Sequence, residues 1–320
     1  MRLGTYRIGL MFQNANSGRR RRRRQTFASY SRSLFWRKLF YRRRYARRVL
    51  SLVPVGELDL LAANSRDDAS EEIKGTITRG LEAFFLGMNV DWMTAADSTV
   101  SFRDIRCTKR THSRTGRVQY LVGDVLAHLK SIIPSRSFCL VGVTIEDLFP
   151  SHEWNFVFGH ALPGDLTGVV SVARYANKES NDSDLIVSFS NLLWRLFKVL
   201  THEICHLFGL KHCRMFPCAM NESRNLEEAI SQPLFLCPVC LRKLHHALEF
   251  SLLHRYQALF EFISSIVETF DDEDILICTG TTELESPPTE NTVEAPGYGK
   301  RRFFESLAWL KSTIDKIENK

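Results

Sequence analysis

The stretch "HEICHLFGLKHCRMFPCAM", His202 to Met220, packs three histidines, a glutamate and three cysteines into nineteen residues. A folded core has no use for them at that density, because each polar group buried without a partner costs several kcal/mol. His202 and His206 stand four apart on a predicted helix, so their imidazoles project from one face about 5–6 Å apart. Metal–nitrogen bonds of about 2.0–2.1 Å let both rings reach one zinc ion without distorting the helix. Glu203, one residue on, points too far round to be a ligand but close enough to hold a water at the metal, the position of a general base in an HExxH site. Gly209 can take positive φ, end the helix and turn the chain back. His212 then completes HExxHxxGxxH, and three nitrogen ligands leave the fourth position of a catalytic zinc for water.

Cys213 follows His212 directly, and neighbouring side chains in extended chain point to opposite sides. The two therefore belong to different ions. Cys213 and Cys218 form C-x4-C, and after eighteen intervening residues "CPVC" supplies Cys237 and Cys240. Two close thiolate pairs make a closed tetrahedral site of structural type. The expectation is two Zn2+ per chain, one catalytic and one structural; a pair of disulfides is the competing reading of the same four cysteines. Cys107, Cys139, Cys205 and Cys278 have no partner at ligand spacing and read as buried thiols. His112, His128, His152, His160, His245 and His246 read as surface or core residues.

Composition narrows the class. With 44% hydrophobic and 25% charged residues the chain is globular rather than disordered. No apolar run approaches the ~18–20 residues of a membrane span. The net charge of +7 is unevenly placed: residues 1–56 hold fifteen Arg, one Lys and no acid, so +16 there leaves −9 for residues 57–320. No signal-peptide pattern follows the start, so the cysteines are expected reduced, in an intracellular, soluble, cytoplasmic protein. Residues 1–47 read as a basic extension, solvated and mostly disordered. Within it, Phe35, Trp36, Leu39 and Phe40 recur at one-turn spacing among cations and suggest an amphipathic helix. Alternative readings of this arm are organellar or nuclear targeting, a nucleic-acid contact, or a misassigned start codon.

A folded domain is expected over 48–265. "VLSLVPVG" (49–56) and "FCLVGVTI" (138–145) read as buried strands, and "FVFGHA" and "GVVSVARY" as shorter ones. Asp68 and Glu71 open a helix whose inward face is Ile73, Ile77, Leu81 and Phe84, stopped at Gly87. A second helix is expected over Gln119–Ile133, halted by Pro134. The histidine motif ends a third, with Leu193, Leu196, Phe197 and Leu200 on one stripe. This is a mixed α/β fold, a mixed sheet with helices packed on it. An acidic, proline-containing linker (266–300) and an amphipathic helix (301–320), expected to dock on its own domain, complete the chain.

The residues "HEICHLFGLKH", followed by "CRMFPCAM" and "CPVC", closely resemble the archaemetzincins, a branch of the metzincin zinc metallopeptidases. Met220 falls where that family has the methionine of its Met-turn. The resemblance runs over roughly residues 49–260 and implies a zincin-type domain acting on peptide or protein substrates. In it His202, His206 and His212 would hold catalytic zinc, Glu203 would be the base, and Cys213, Cys218, Cys237 and Cys240 would hold a second zinc. It also implies that "GVVSVARY" supplies the edge strand for an extended peptide. The competing function is a non-catalytic zinc module for partner or nucleic-acid binding.

Overall fold

A computed structural model describes residues 24–56, 67–93, 100–103, 105–174, 189–223, 225–269 and 298–319. Strands β1 (Val49–Pro54), β2 (Asn89–Trp92), β5 (Cys139–Thr144), β7 (Gly159–Leu162) and β8 (Thr167–Ser171) form a five-stranded sheet in the order β2-β1-β5-β8-β7. All neighbours are parallel except β7, which runs antiparallel to β8. A smaller sheet joins β3 (Lys109–Thr111), β4 (Val118–Leu121) and β6 (Asp147–Phe149).

The central strands are apolar on both faces because helices cover both. In β1, Leu50 and Leu52 enter the larger core, while Val53 and the following Val55 enter the smaller one. In β5, Cys139, Val141 and Val143 face the first core and Leu140 the second. Helices α3 (Asp67–Phe84) and α5 (Phe189–Leu207) fill the larger core with Ile73, Ile77, Leu81, Leu193, Leu196 and Phe197. Helix α4 (Val122–Ile132) fills the smaller with Val122, Val125, Leu126 and Leu129. Gly142 lies under α4: a Cβ there would sit 2.7 Å from Val55 and 3.0 Å from Leu129.

The remaining helices among the described residues are α1 (Phe27–Phe40), α2 (Arg42–Tyr45), α6 (Leu226–Ser231), α7 (Pro238–Leu248), α8 (Leu252–Val267) and α9 (Tyr298–Glu318). Helix α9 packs on α8 and α5, with Phe303 edge-on to Trp194 at 4.9 Å between ring centroids. Among the described residues no helix is long and apolar enough to cross a membrane.

Three expectations change. The helix expected from Gln119 begins at Val122, because residues 118–121 form β4 instead. Gln119 is fully buried in that strand and donates to Asp147 Oδ2 (2.9 Å) and the Asn155 carbonyl (2.7 Å), bonds a helix would forfeit. "GVVSVARY" is not an edge: β8 lies between β5 and β7, so the edge beside it is β7. The basic arm, expected to be a solvated tail, contains α1, which is docked. Tyr30 and Leu34 are buried, while Phe35, Trp36, Leu39 and Phe40, the residues that suggested the helix, face outward. The stretches 1–23 and 270–297, with most of the arginine run, most of the expected linker and Cys278, lie outside the described residues.

Candidate metal centre

Helix α5 carries an apolar face into the core and ends beneath β7, so its last turns bring His202, Glu203 and His206 to the sheet edge. The His202 and His206 rings lie 4.7 Å apart between centroids, and each lies 5.3 and 4.8 Å from His212. Gly209, at φ +90°, makes the turn that returns His212, with its N–H on the His206 carbonyl at 2.8 Å. One ring nitrogen of each helical histidine is fixed from outside. His202 Nδ1 lies 2.7 Å from the Ala219 carbonyl and His206 Nδ1 2.7 Å from the Leu210 carbonyl. A carbonyl only accepts, so both Nδ1 atoms carry the proton and both Nε2 lone pairs point inward. Those Nε2 atoms are 3.0 Å apart. Two lone pairs at that distance repel unless a cation lies between them.

A tetrahedral zinc with bonds of about 2.0–2.1 Å needs nitrogens about 3.3 Å apart, so this donor set fits. Burial, then the neighbouring His212, pushes His202 down to about 4, and burial, then His202 and His212, drives His206 well below the ordinary range. Both are therefore neutral near pH 7, the form that binds metal. Glu203 is buried beside them, and burial alone pushes its carboxyl up to about 8. Its side chain lies against Gly159 of β7, where a Cβ would come within 2.7 Å of Glu203 Cγ. His160, next along β7, is neutral too, pushed down by burial.

The loop after His212 is held by Asn221. Its amide donates to the Cys213 and Phe216 carbonyls, 3.0 Å each, and its Oδ1 accepts from the Cys218 N–H at 2.8 Å. Met220 is fully buried and its carbonyl accepts from the Cys213 N–H. The residue before it, Ala219, is the one that orients His202.

Cys213, Cys218, Cys237 and Cys240 form a second cluster sharing no residue with the first, and within each cluster the ligand atoms lie within 4.8 Å of one another. Cys213 Sγ and Cys237 Sγ are 3.7 Å apart, far beyond the ~2.05 Å of a disulfide and close to the ~3.8 Å between thiolates on one tetrahedral zinc. The four cysteines are free. Cys218 Sγ also accepts from the N–H groups of Met220 (3.4 Å) and Cys237 (3.2 Å), tying the histidine loop to α7. Cys107, Cys139 and Cys205 are buried singly.

Sequence reading missed the residues that hold the turn between His206 and His212. The last carbonyls of a helix lack intrahelical partners. Here Arg37 Nη2 donates to the Leu207 carbonyl (2.8 Å), the Tyr30 hydroxyl to Phe208 (3.1 Å) and the Gln25 amide to Gly209 (3.0 Å). Gln25 Oε1 accepts from the Lys211 N–H at 3.1 Å. All three come from the basic arm. Asn221 and Gly159 were missed too; Asn221 acts through side-chain bonds within its own loop and Gly159 through the absence of a side chain.

The profile of peptidase family M54 matches residues 101–246. Archaemetzincin-2 of Homo sapiens is 39% identical over 217 residues, covering 61% of this chain and 59% of that protein. Archaemetzincin-1 of Homo sapiens is 34% identical over 236 residues, covering 65% and 47%. The chain thus spans about three fifths of the length of its archaemetzincin-2 relatives. Among solved structures, archaemetzincin from Methanopyrus kandleri is 25% identical, with 64% of this chain and 97% of that one aligned at a TM-score of 0.44. Residues 101–246 match the profile of peptidase family M54, and over about three fifths of its length the chain is similar to the archaemetzincins, the family that the HExxHxxGxxH motif and the cysteine pairs resemble.

Proposed function

We propose that the protein is a zinc-dependent peptidase in which His202, His206 and His212 hold the catalytic zinc and Glu203 is the general base. The observation that carries this reading is the convergence of three imidazoles beside one buried carboxylate. Zinc bound there supplies a Lewis acid for the scissile carbonyl and acidifies water. Glu203 takes a proton from the attacking water and delivers it to the departing amine. Its burial and its contact with Gly159 hold the carboxylate in place. Strand β7, the sheet edge beside Glu203, presents main-chain groups to an extended peptide, which suits a peptidase that reads backbone. Cys213, Cys218, Cys237 and Cys240 hold a second, structural zinc, which anchors the loop carrying His212 to α7.

Glu203→Gln tests the reading. Peptide-library cleavage is expected to fall by at least about 10³-fold, within the range ascribed to proton transfer and charge stabilisation together, with zinc content unchanged. Cleavage that persists in this variant would remove Glu203 from the mechanism.

A further inference from the structure

Helix α1 has two apolar faces, and among the described residues only one is packed. Tyr30 and Leu34 are buried and Arg37 is bonded to the Leu207 and Pro163 carbonyls, so the orientation of the helix is fixed. The opposite face presents Phe35 (63% exposed), Trp36 (54%), Leu39 (55%) and Phe40 (77%) as one cluster, with Trp36 against both Phe35 and Phe40. Four large apolar side chains on adjacent turns are more than the scattered exposure normal for a protein surface. Exposed arginines bracket them, Arg32 before and Arg42 and Arg43 after, and no acid occurs in the first 56 residues.

We propose that this face of α1 docks on an anionic membrane surface. Phe35, Trp36, Leu39 and Phe40 enter the boundary between headgroups and acyl chains, and the arginines pair with lipid phosphates and carboxylates. Aromatic side chains flanked by cations are the chemistry that boundary selects. The observations disfavour the other occupants. Two copies meeting through this face would bring their arginines together, with no acid from this segment to neutralise them. Nucleic acid would use the arginines but leaves Leu39 without a role, and Trp36 and Phe40 already stack on each other, 6.0 Å between centroids.

The test is cosedimentation of the zinc-loaded chain, residues 1–320, with phosphatidylcholine vesicles, with and without about 30% phosphatidylserine. Binding is expected to the anionic vesicles only. Trp36→Ser with Phe40→Ser should weaken it at least about tenfold, and Arg42→Glu with Arg43→Glu should do the same. Both pairs are solvent-facing, so melting temperature and zinc content should match the parent protein. Undiminished binding by the Trp36/Phe40 variant would overturn the proposal, because charge alone would then suffice. So would single-stranded RNA binding without vesicle binding, or a dimer abolished by the same substitutions.

Discussion

Gly159 and Glu203 meet across the boundary between sheet and helix, and the glycine is required because its missing Cβ is the space the carboxylate fills. Gly159→Ala should therefore push Glu203 aside while leaving the three imidazoles alone. The expected result is a fall in kcat of about 10²-fold, the cost of roughly 1 Å of misplacement, with zinc still bound. Steady-state kinetics beside metal analysis checks this. The carboxyl also makes a pH prediction for protein stripped of metal. Its pKa is raised from 4.5 to about 8, so the folded state holds a proton that the unfolded state releases. Stability must then decline as pH rises from about 4.5 to 8. His202, lowered from 6.5 to about 4, acts oppositely and costs stability as pH falls through that window. Glu203→Gln should remove the alkaline decline, making the stripped variant more stable than stripped wild type at pH 8 by a few kcal/mol, and much less so at pH 5. Chemical unfolding at the two pH values after chelation measures the difference.

Helix α1 with Gln25 just before it and the exit from α5 are far apart in sequence and joined by three hydrogen bonds to consecutive carbonyls, Leu207 to Gly209. These bonds fix the direction in which the chain leaves α5 towards His212. Arg37→Ala, and Tyr30→Phe more mildly, should lower zinc affinity at the histidine site by about 10-fold or more, the scale on which groups behind a ligand act. Competition with a chromophoric chelator reads this, and the four-cysteine site should be unaffected. The motif in α5 was legible because HExxH and the turn at Gly209 express helix geometry within eleven residues. The docking of α1 was not. Its conspicuous apolar residues are the outward ones, while its inward face is Tyr30, Leu34 and an arginine that acts by hydrogen bonding. Strand β4 was misread for a similar reason: Gln119 is polar yet buried, paid for by Asp147 and Asn155, partners that no periodicity reveals.

Across the molecule, the five-stranded sheet supplies the platform, with α5 below its β7 edge and α1 holding the exit from α5. The two-faced apolar strands announced a sheet covered on both sides, but not its order, which depends on pairings between distant segments. That is why β7 and β8 exchanged roles between expectation and structure. The cysteine cluster links α7 to the loop carrying His212, so the zinc proposed there should govern the fold more than the chemistry. Cys237→Ser should lose one zinc, lower the melting temperature by several degrees and expose the chain to proteolysis near residue 215, the breadth of loss expected when a structural site is opened. Calorimetry and limited digestion check both.

Anomalous diffraction at the zinc absorption edge, on crystals of protein purified without chelators, speaks most plainly to the whole arrangement. Two peaks are expected. One should lie among the inward Nε2 atoms of His202 and His206 and the ring of His212, with a coordination position open towards Glu203, and the other among the four Sγ atoms. A single peak at the cysteines, or a protein side chain filling the fourth position at the histidines, would mean that this fold carries no hydrolytic zinc.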